Sequence, residues 1–144
     1  MLCSKTKLET KLIRDFIVNE TADSSATRVL IIDDDVTFLE LTERRLTREG
    51  FVVAVNSEPR EVLPLIGSGR FDVVVLDLGM PGVSGEKLLS FIRDMPALSK
   101  TRVVIHSSAD EEQAKGIAAQ YGAVAVSKSA SIEQLADAIR GLSD

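Results

Sequence analysis

Three acids in a row, Asp33, Asp34 and Asp35, stand where the aliphatic run "VLII" (29–32) ends. Adjacent carboxylates repel one another, so massing them at the margin of a core calls for a positive group nearby. Other polar residues occupy the same kind of place. Asp77 directly follows "VVVL", Ser107 follows "VVIH", and Lys128 comes two residues after "VAV". A single carboxylate after an apolar run reads as a helix cap. Several carboxylates, a hydroxyl and an ammonium on one rim suit another task. Hard carboxylate oxygens match Mg2+ with several waters retained. A lysine neutralises phosphate as a point charge, and a hydroxyl can donate to one more phosphoryl oxygen. Phosphoryl transfer needs little beyond such positioning and neutralisation. A calcium-binding EF-hand loop is excluded, because the acids are contiguous and no glycine or distal glutamate follows at loop spacing.

The elements that must position these residues are short. "VLII" (29–32), "VVAV" (52–55), "VVVL" (73–76), "VVI" (103–105) and "VAV" (124–126) are rich in β-branched residues and lack strict alternation. They are predicted to be strands buried on both faces. Between them the period becomes helical, with one stripe of Leu88, Ile92 and Met95. Ala114, Ile117, Ala118 and Tyr121 form another, and Ile132, Leu135, Ala136 and Ile139 a third. Ser84 and Ser131 stand at N-cap positions, and Gly50 and Gly122 at C-cap positions. Pro64 should kink or shorten the second helix. Five strands alternating with five helices predict an α/β fold, a doubly wound parallel sheet with helices on both faces. In such sheets ligands bind beyond the carboxyl ends of the strands, which is where the acids fall.

At 144 residues the chain is expected to form one ordinary domain. Its net charge of −5 argues against a nucleic-acid surface. The tightest basic group, Arg44, Arg45 and Arg48, is interleaved with Glu43 and Glu49 and reads as a solvated helix face. The single cysteine, Cys3, rules out an internal disulfide and fits a reducing compartment. No apolar stretch approaches a membrane span or a signal-peptide core. A cytoplasmic location is expected.

The motifs "VLIIDDD", "VVVLDLGMPGVSG" (73–85), "VVIHSSAD" (103–110) and "VSKS" (126–129) together resemble the response-regulator receiver domain of two-component signalling. The likeness extends over about 28–142, and its most specific block holds Asp77, Met80, Pro81 and Gly85. It implies a flavodoxin-like sheet in the order 2-1-3-4-5. It also implies that Asp77 accepts a phosphoryl group, and that the module is a signalling protein rather than an enzyme. Asp34, Asp77 and the Gly79 carbonyl would hold Mg2+ directly, with Asp33 acting through water. Ser107 would be the switch hydroxyl, and Lys128 the lysine that pairs with the phosphoryl group. Asp35 has no role in that scheme and reads as the N-cap of the first helix. The implied partners are a histidine kinase or phosphotransfer protein and an unnamed downstream protein, with no nucleic acid and no membrane.

This sequence departs from the family pattern in three places. Ser129 replaces the proline that usually follows the lysine in a cis bond, Ala125 replaces an aromatic, and His106 precedes the switch hydroxyl. The imidazole is expected to be partly buried and neutral, and Tyr121 to be core. Two other readings stay open. One is a receiver fold that docks partners without phosphorylation. The other is a haloacid-dehalogenase-like phosphohydrolase, in which "DDDVT" would supply Asp33 as nucleophile and Asp35 as acid. Against it, only Glu133, Asp137 and Asp144 follow Lys128 as acids, all on or past the last helix, and the chain has no room for a cap domain.

Residues 1–27 are read as an N-terminal amphipathic segment and linker, and 28–144 as the receiver unit. Leu8, Leu12, Ile13, Phe16 and Ile17 share one helical face. Residues 8–17 and the face of the fourth helix and fifth strand are candidate self-association surfaces. With nothing after the fifth helix, no output domain is expected on this chain.

Overall fold

A computed structural model describes residues 25–143 apart from 69, 81, 83 and 109. The expected amphipathic segment at 8–17, and Pro81 of the most specific motif, lie outside the described residues. The elements run β1 (Arg28–Ile32), α1 (Val36–Arg48), β2 (Val52–Asn56), α2 (Val62–Gly67), β3 (Val73–Leu76) and α3 (Gly85–Asp94). They continue with β4 (Arg102–Ser107), α4 (Glu111–Tyr121), β5 (Val124–Ser127) and α5 (Ile132–Ser143). A 3-10 turn, Pro59–Glu61, leads into α2. As expected from Pro64, α2 is short, at six residues.

The strands form one parallel sheet in the order β2-β1-β3-β4-β5, the order that the sequence implies. Ile32 pairs with Leu76, so Asp33 and Asp77 emerge side by side from neighbouring strands. Alternating strand residues supply two cores. Leu30, Ile32, Val74, Leu76 and Ile105 pack with Leu88, Leu89 and Ile92 of α3. Val29, Ile31, Val75 and Val104 pack on the other face with Leu39 and Leu46 of α1 and Leu135 and Ile139 of α5. Each such fully buried aliphatic side chain stabilises the fold by roughly 1.5–3 kcal/mol.

The helix starts are chemically defined. Asp35 caps α1 by accepting the Phe38 N–H at 3.1 Å, and Ser84 caps α3 by accepting the Lys87 N–H at 3.1 Å. Ser131 and Gln134 form a reciprocal box at the start of α5, with bonds of 3.0 and 3.2 Å. Gly122 ends α4 at φ +65°, and Gly50 follows α1 at φ +99°, the left-handed backbone that glycine adopts without penalty.

Three expectations about burial are corrected. Met95 does not continue the Leu88 and Ile92 stripe. It is the C-cap of α3 in an extended conformation, which breaks the helical phase and leaves it 43% exposed, while Leu89 is buried instead. β5 is not buried on both faces. It is an edge strand with only one neighbour, and Val124 at its start is 38% exposed. Tyr121, expected as core, is half-buried and packs against the α3 side of the sheet. Arg44, Arg45 and Arg48 are exposed, as their pattern suggests.

Candidate functional site

Asp33, Asp34, Asp77, Ser107 and Lys128 all lie at or just beyond the carboxyl ends of the strands. Oxygens of Asp33, Asp34 and Asp77 lie within 4.8 Å of one another, with Asp33 and Asp77 buried and Asp34 exposed. β1 and β3 bring the two buried acids together, because the Asp77 N–H continues the ladder to the Ile32 carbonyl at 3.0 Å. Each acid is also oriented by the backbone that follows it. Asp33 accepts the Asp35 N–H at 3.0 Å, and Asp77 accepts the Gly79 N–H at 3.1 Å. Gly79 thus meets the site through its N–H.

Lys128 supplies the positive group. Its Nζ lies 2.6 Å from Asp33 Oδ2 and 3.5 Å from Asp77 Oδ2, and its side chain is 20% exposed. Its backbone N–H bonds the Ser107 carbonyl at 3.0 Å, which ties the β5 end to the β4 end. No cis peptide bond occurs among the described residues. The three carboxylates and one ammonium are out of balance by two negative charges, and the titration behaviour follows. Burial, with the Asp33 charge, raises the Asp77 carboxyl above its ordinary value, and the Gly79 N–H and Lys128 only partly offset this. Burial alone would lower Lys128, but its bond to Asp33 and the charges of both acids outweigh it, so Lys128 is raised.

The hard-oxygen donor set fits a divalent cation such as Mg2+, since three carboxylates converge and one cation nearby cannot neutralise them all. Asp35 faces away from this role. It is exposed and engaged as a cap, as expected. Ser107 is buried, 4% exposed, and lines a cavity of about 230 Å³ with Glu111, Ala114, Ala125 and Gln134.

Motif reading passed over Phe38 and Arg93 among the residues that build this region. Phe38 presents its ring to the Lys128 ammonium at 4.7 Å, and to the His106 ring at 5.5 Å between centroids. His106 is buried, as expected for a neutral imidazole, and burial together with the Lys128 charge pushes it down to about 4. Gly85 begins α3 against the backbone of Asp77 and Leu78, where a side chain would overlap the Asp77 carbonyl oxygen and lie 2.5 Å from Leu78 Cα. Arg93 donates to the carbonyls of Tyr121, Ser99, Thr101 and Gly122 at 2.6–3.2 Å and so fastens α3 to the end of α4. Gly85 already stands in the most specific motif block, and this close approach is the physical reason for a glycine there. Phe38 and Arg93 have no signal that is local.

The fold and the acid cluster define a carboxylate site at the carboxyl edge of a parallel sheet, and comparison with known proteins gives the family. The family profile of the response regulator receiver domain matches residues 29–140, and the chain belongs to that family. Response regulator MprA of Mycolicibacterium vanbaalenii is 38% identical over 78 residues, which cover 51% of this chain and 34% of that protein. The chain spans less than half the length of the curated relatives it matches. Among solved structures, the Francisella response regulator 1452 receiver domain is 28% identical. It aligns with a TM-score of 0.73 over 81% of this chain and 96% of its own. A response regulator from Burkholderia pseudomallei, 27% identical, aligns with a TM-score of 0.68 over 78% of this chain and 66% of its own. That structure holds a phosphorylated aspartic acid, a calcium ion and citrate. Family membership sets aside the phosphohydrolase reading of Asp33 and Asp35. Among the described residues no helix is long and apolar enough to cross a membrane.

Proposed function

We propose that this receiver accepts a phosphoryl group on Asp77 from the phosphohistidine of a histidine kinase or phosphotransfer protein, in a Mg2+-dependent reaction. The observation that carries the reading is the convergence of Asp33, Asp34 and Asp77 within 4.8 Å, with Lys128 beside two of them. Asp34, Asp77 and the Gly79 carbonyl would hold the ion, with Asp33 acting through a water. Bound there, Mg2+ neutralises charge on the transferring phosphoryl oxygens. An Asp77 oxygen attacks phosphorus as the P–N bond breaks, and its electron pair stays with the donor imidazole. The product is an acyl phosphate on Asp77. Gly79 fixes Oδ1 through its N–H, which leaves Oδ2 on the Lys128 side. Lys128 then pairs with the phosphoryl group, and the Ser107 hydroxyl donates to it. The phosphorylated aspartic acid and the cation in the Burkholderia relative support this assignment.

The outcome is a signal rather than turnover: the phosphorylated form presents an altered surface to a downstream protein. Ala125 has no ring to move against Ser107, so few side-chain contacts differ between the two states. Changes on phosphorylation are therefore concentrated in the loops at 79–84 and 107–112 and are small over the rest of the stretch to 126. Incubation with Mg2+ and a small-molecule phosphodonor tests the assignment. Labelling should occur in the wild type and be absent in Asp77→Asn. Labelling that persists in Asp77→Asn and requires Asp33 would refute it.

A further inference from the structure

Phe38 carries no charge or hydroxyl, yet Lys128 rests on it. The ring stands in the first turn of α1, held there by the bond from its own N–H to Asp35. The Lys128 ammonium lies 4.7 Å from the ring centre while also 2.6 Å from Asp33 and 3.5 Å from Asp77. The three contacts describe a short path, with an acid at each end and an aromatic surface alongside. The imidazole of His106 packs against the same ring, 5.5 Å between centroids at 40°, so the ring is backed by a buried neighbour.

A lysine is a compact charge on a flexible stem, and fixing it costs side-chain entropy. A further carboxylate beyond Asp33 and Asp77 could fix it, but would compete with a phosphoryl group for the same ammonium. An aromatic face attracts a cation through its quadrupole without a directed hydrogen bond, so it tolerates displacement of the charge across the ring. We propose that Phe38 is a positioning residue for Lys128: its ring guides the ammonium from Asp33 towards a phosphoryl group on Asp77 while keeping it on a cation-binding surface. This rests on Asp77 being the phosphoryl acceptor.

The test uses the full chain and the variants Phe38→Leu, Phe38→Tyr, Lys128→Ala and Phe38→Leu/Lys128→Ala. Two quantities are read: the NMR shift of the Lys128 ε-methylene, and the affinity for beryllofluoride, a phosphoryl mimic, with Mg2+. Ring current should displace the methylene resonance in the wild type and in Phe38→Tyr, and that displacement should vanish in Phe38→Leu. Phe38→Leu should weaken beryllofluoride binding roughly threefold to tenfold, the range expected of a cation–π contact, with Mg2+ affinity unchanged and Phe38→Tyr near wild type. In the Lys128→Ala background, Phe38→Leu should cost nothing further. An unmoved Lys128 resonance in Phe38→Leu, or the same loss of affinity in both backgrounds, would overturn the inference and leave Phe38 a packing residue. If the wild type binds no beryllofluoride, the proposed function fails, and the Lys128 resonance still decides the role of Phe38.

Discussion

Gly85 lies so close beneath Asp77 that a methyl group on residue 85 would overlap the Asp77 carbonyl oxygen. The Gly85 N–H reaches back to the Leu78 carbonyl at 3.2 Å, so the start of α3 and the loop after β3 are one tight unit. Gly85→Ala must push that unit apart. The opposing atoms are backbone, which cannot swing aside as a side-chain tip would. The expected loss is about 1–3 kcal/mol, as for overpacking elsewhere, read from a denaturation midpoint. Asp77 should shift with its loop, so affinity for Mg2+ should fall as well. A variant as stable as the wild type with intact Mg2+ binding would contradict this account.

Asp77→Asn should stabilise the protein in the absence of metal. Burial and the Asp33 charge raise the Asp77 carboxyl in the fold, so the unfolded chain ionises more readily than the folded one. The resulting stability is present below the ordinary value of 3.8 and is lost as pH rises through the folded value. The variant escapes that loss. Its melting temperature should exceed that of the wild type at pH 7, with the gap closing on acidification to below about pH 4. Added Mg2+ should raise the wild-type melting temperature more than that of the variant.

His106 should make the fold acid-sensitive in a defined window. Its folded value is about 4, against 6.5 when unperturbed, because burial disfavours the imidazolium and Lys128 adds to the effect. Below pH 6.5 the unfolded chain takes up a proton that the fold refuses until about pH 4. Stability should therefore fall by about 3 kcal/mol across that window and then level off for this group. His106→Leu should flatten this part of the pH–stability curve. An unchanged slope in the variant would place the acid sensitivity elsewhere.

Arg93 should matter more than its half-exposed position suggests. Its guanidinium serves four backbone carbonyls, two of them at the C-terminal end of α4. Arg93→Met keeps much of the apolar stem but leaves those acceptors without their donor. Hydrogen bonds to a charged group contribute about 1.5–3 kcal/mol each at most, and solvent will replace some of them. A net loss of about 2 kcal/mol is expected, with faster amide exchange at 121–124.

The sequence carried the strands, the sheet order through its family likeness, and the positions of the site acids. Residues such as Ile32 and Leu76 are recognisable because a strand buried on both faces must be aliphatic throughout, and the polar residue that ends it then stands out. The caps Asp35, Ser84 and Ser131 were legible because a cap acts on N–H groups two or three residues away. Burial at the margins was not. Met95 continues the helical spacing on paper, yet the helix stops one residue earlier and its phase stops with it. Val124 to Val126 look like a central strand, and only the sheet order reveals an edge. The contact of Phe38 with Lys128 joins residues 90 positions apart in sequence (128 − 38 = 90), where no spacing rule applies. Arg93 was invisible for the same reason, since its partners lie in a later loop and helix end.

The pairing of β1 with β3, strands far apart in sequence, governs when the acid cluster can exist at all. Val29 pairs with Val73, so the chain between them must close as a long loop before Asp33 can meet Asp77. Such closures are slow, because their entropy is spent before the contacts form. A nascent chain that has made only β1, α1 and β2 therefore has Asp33 and Asp34 of the cluster and lacks Asp77. A cation that needs all three acids binds only once β1 and β3 have paired, so it should slow unfolding more than it speeds folding.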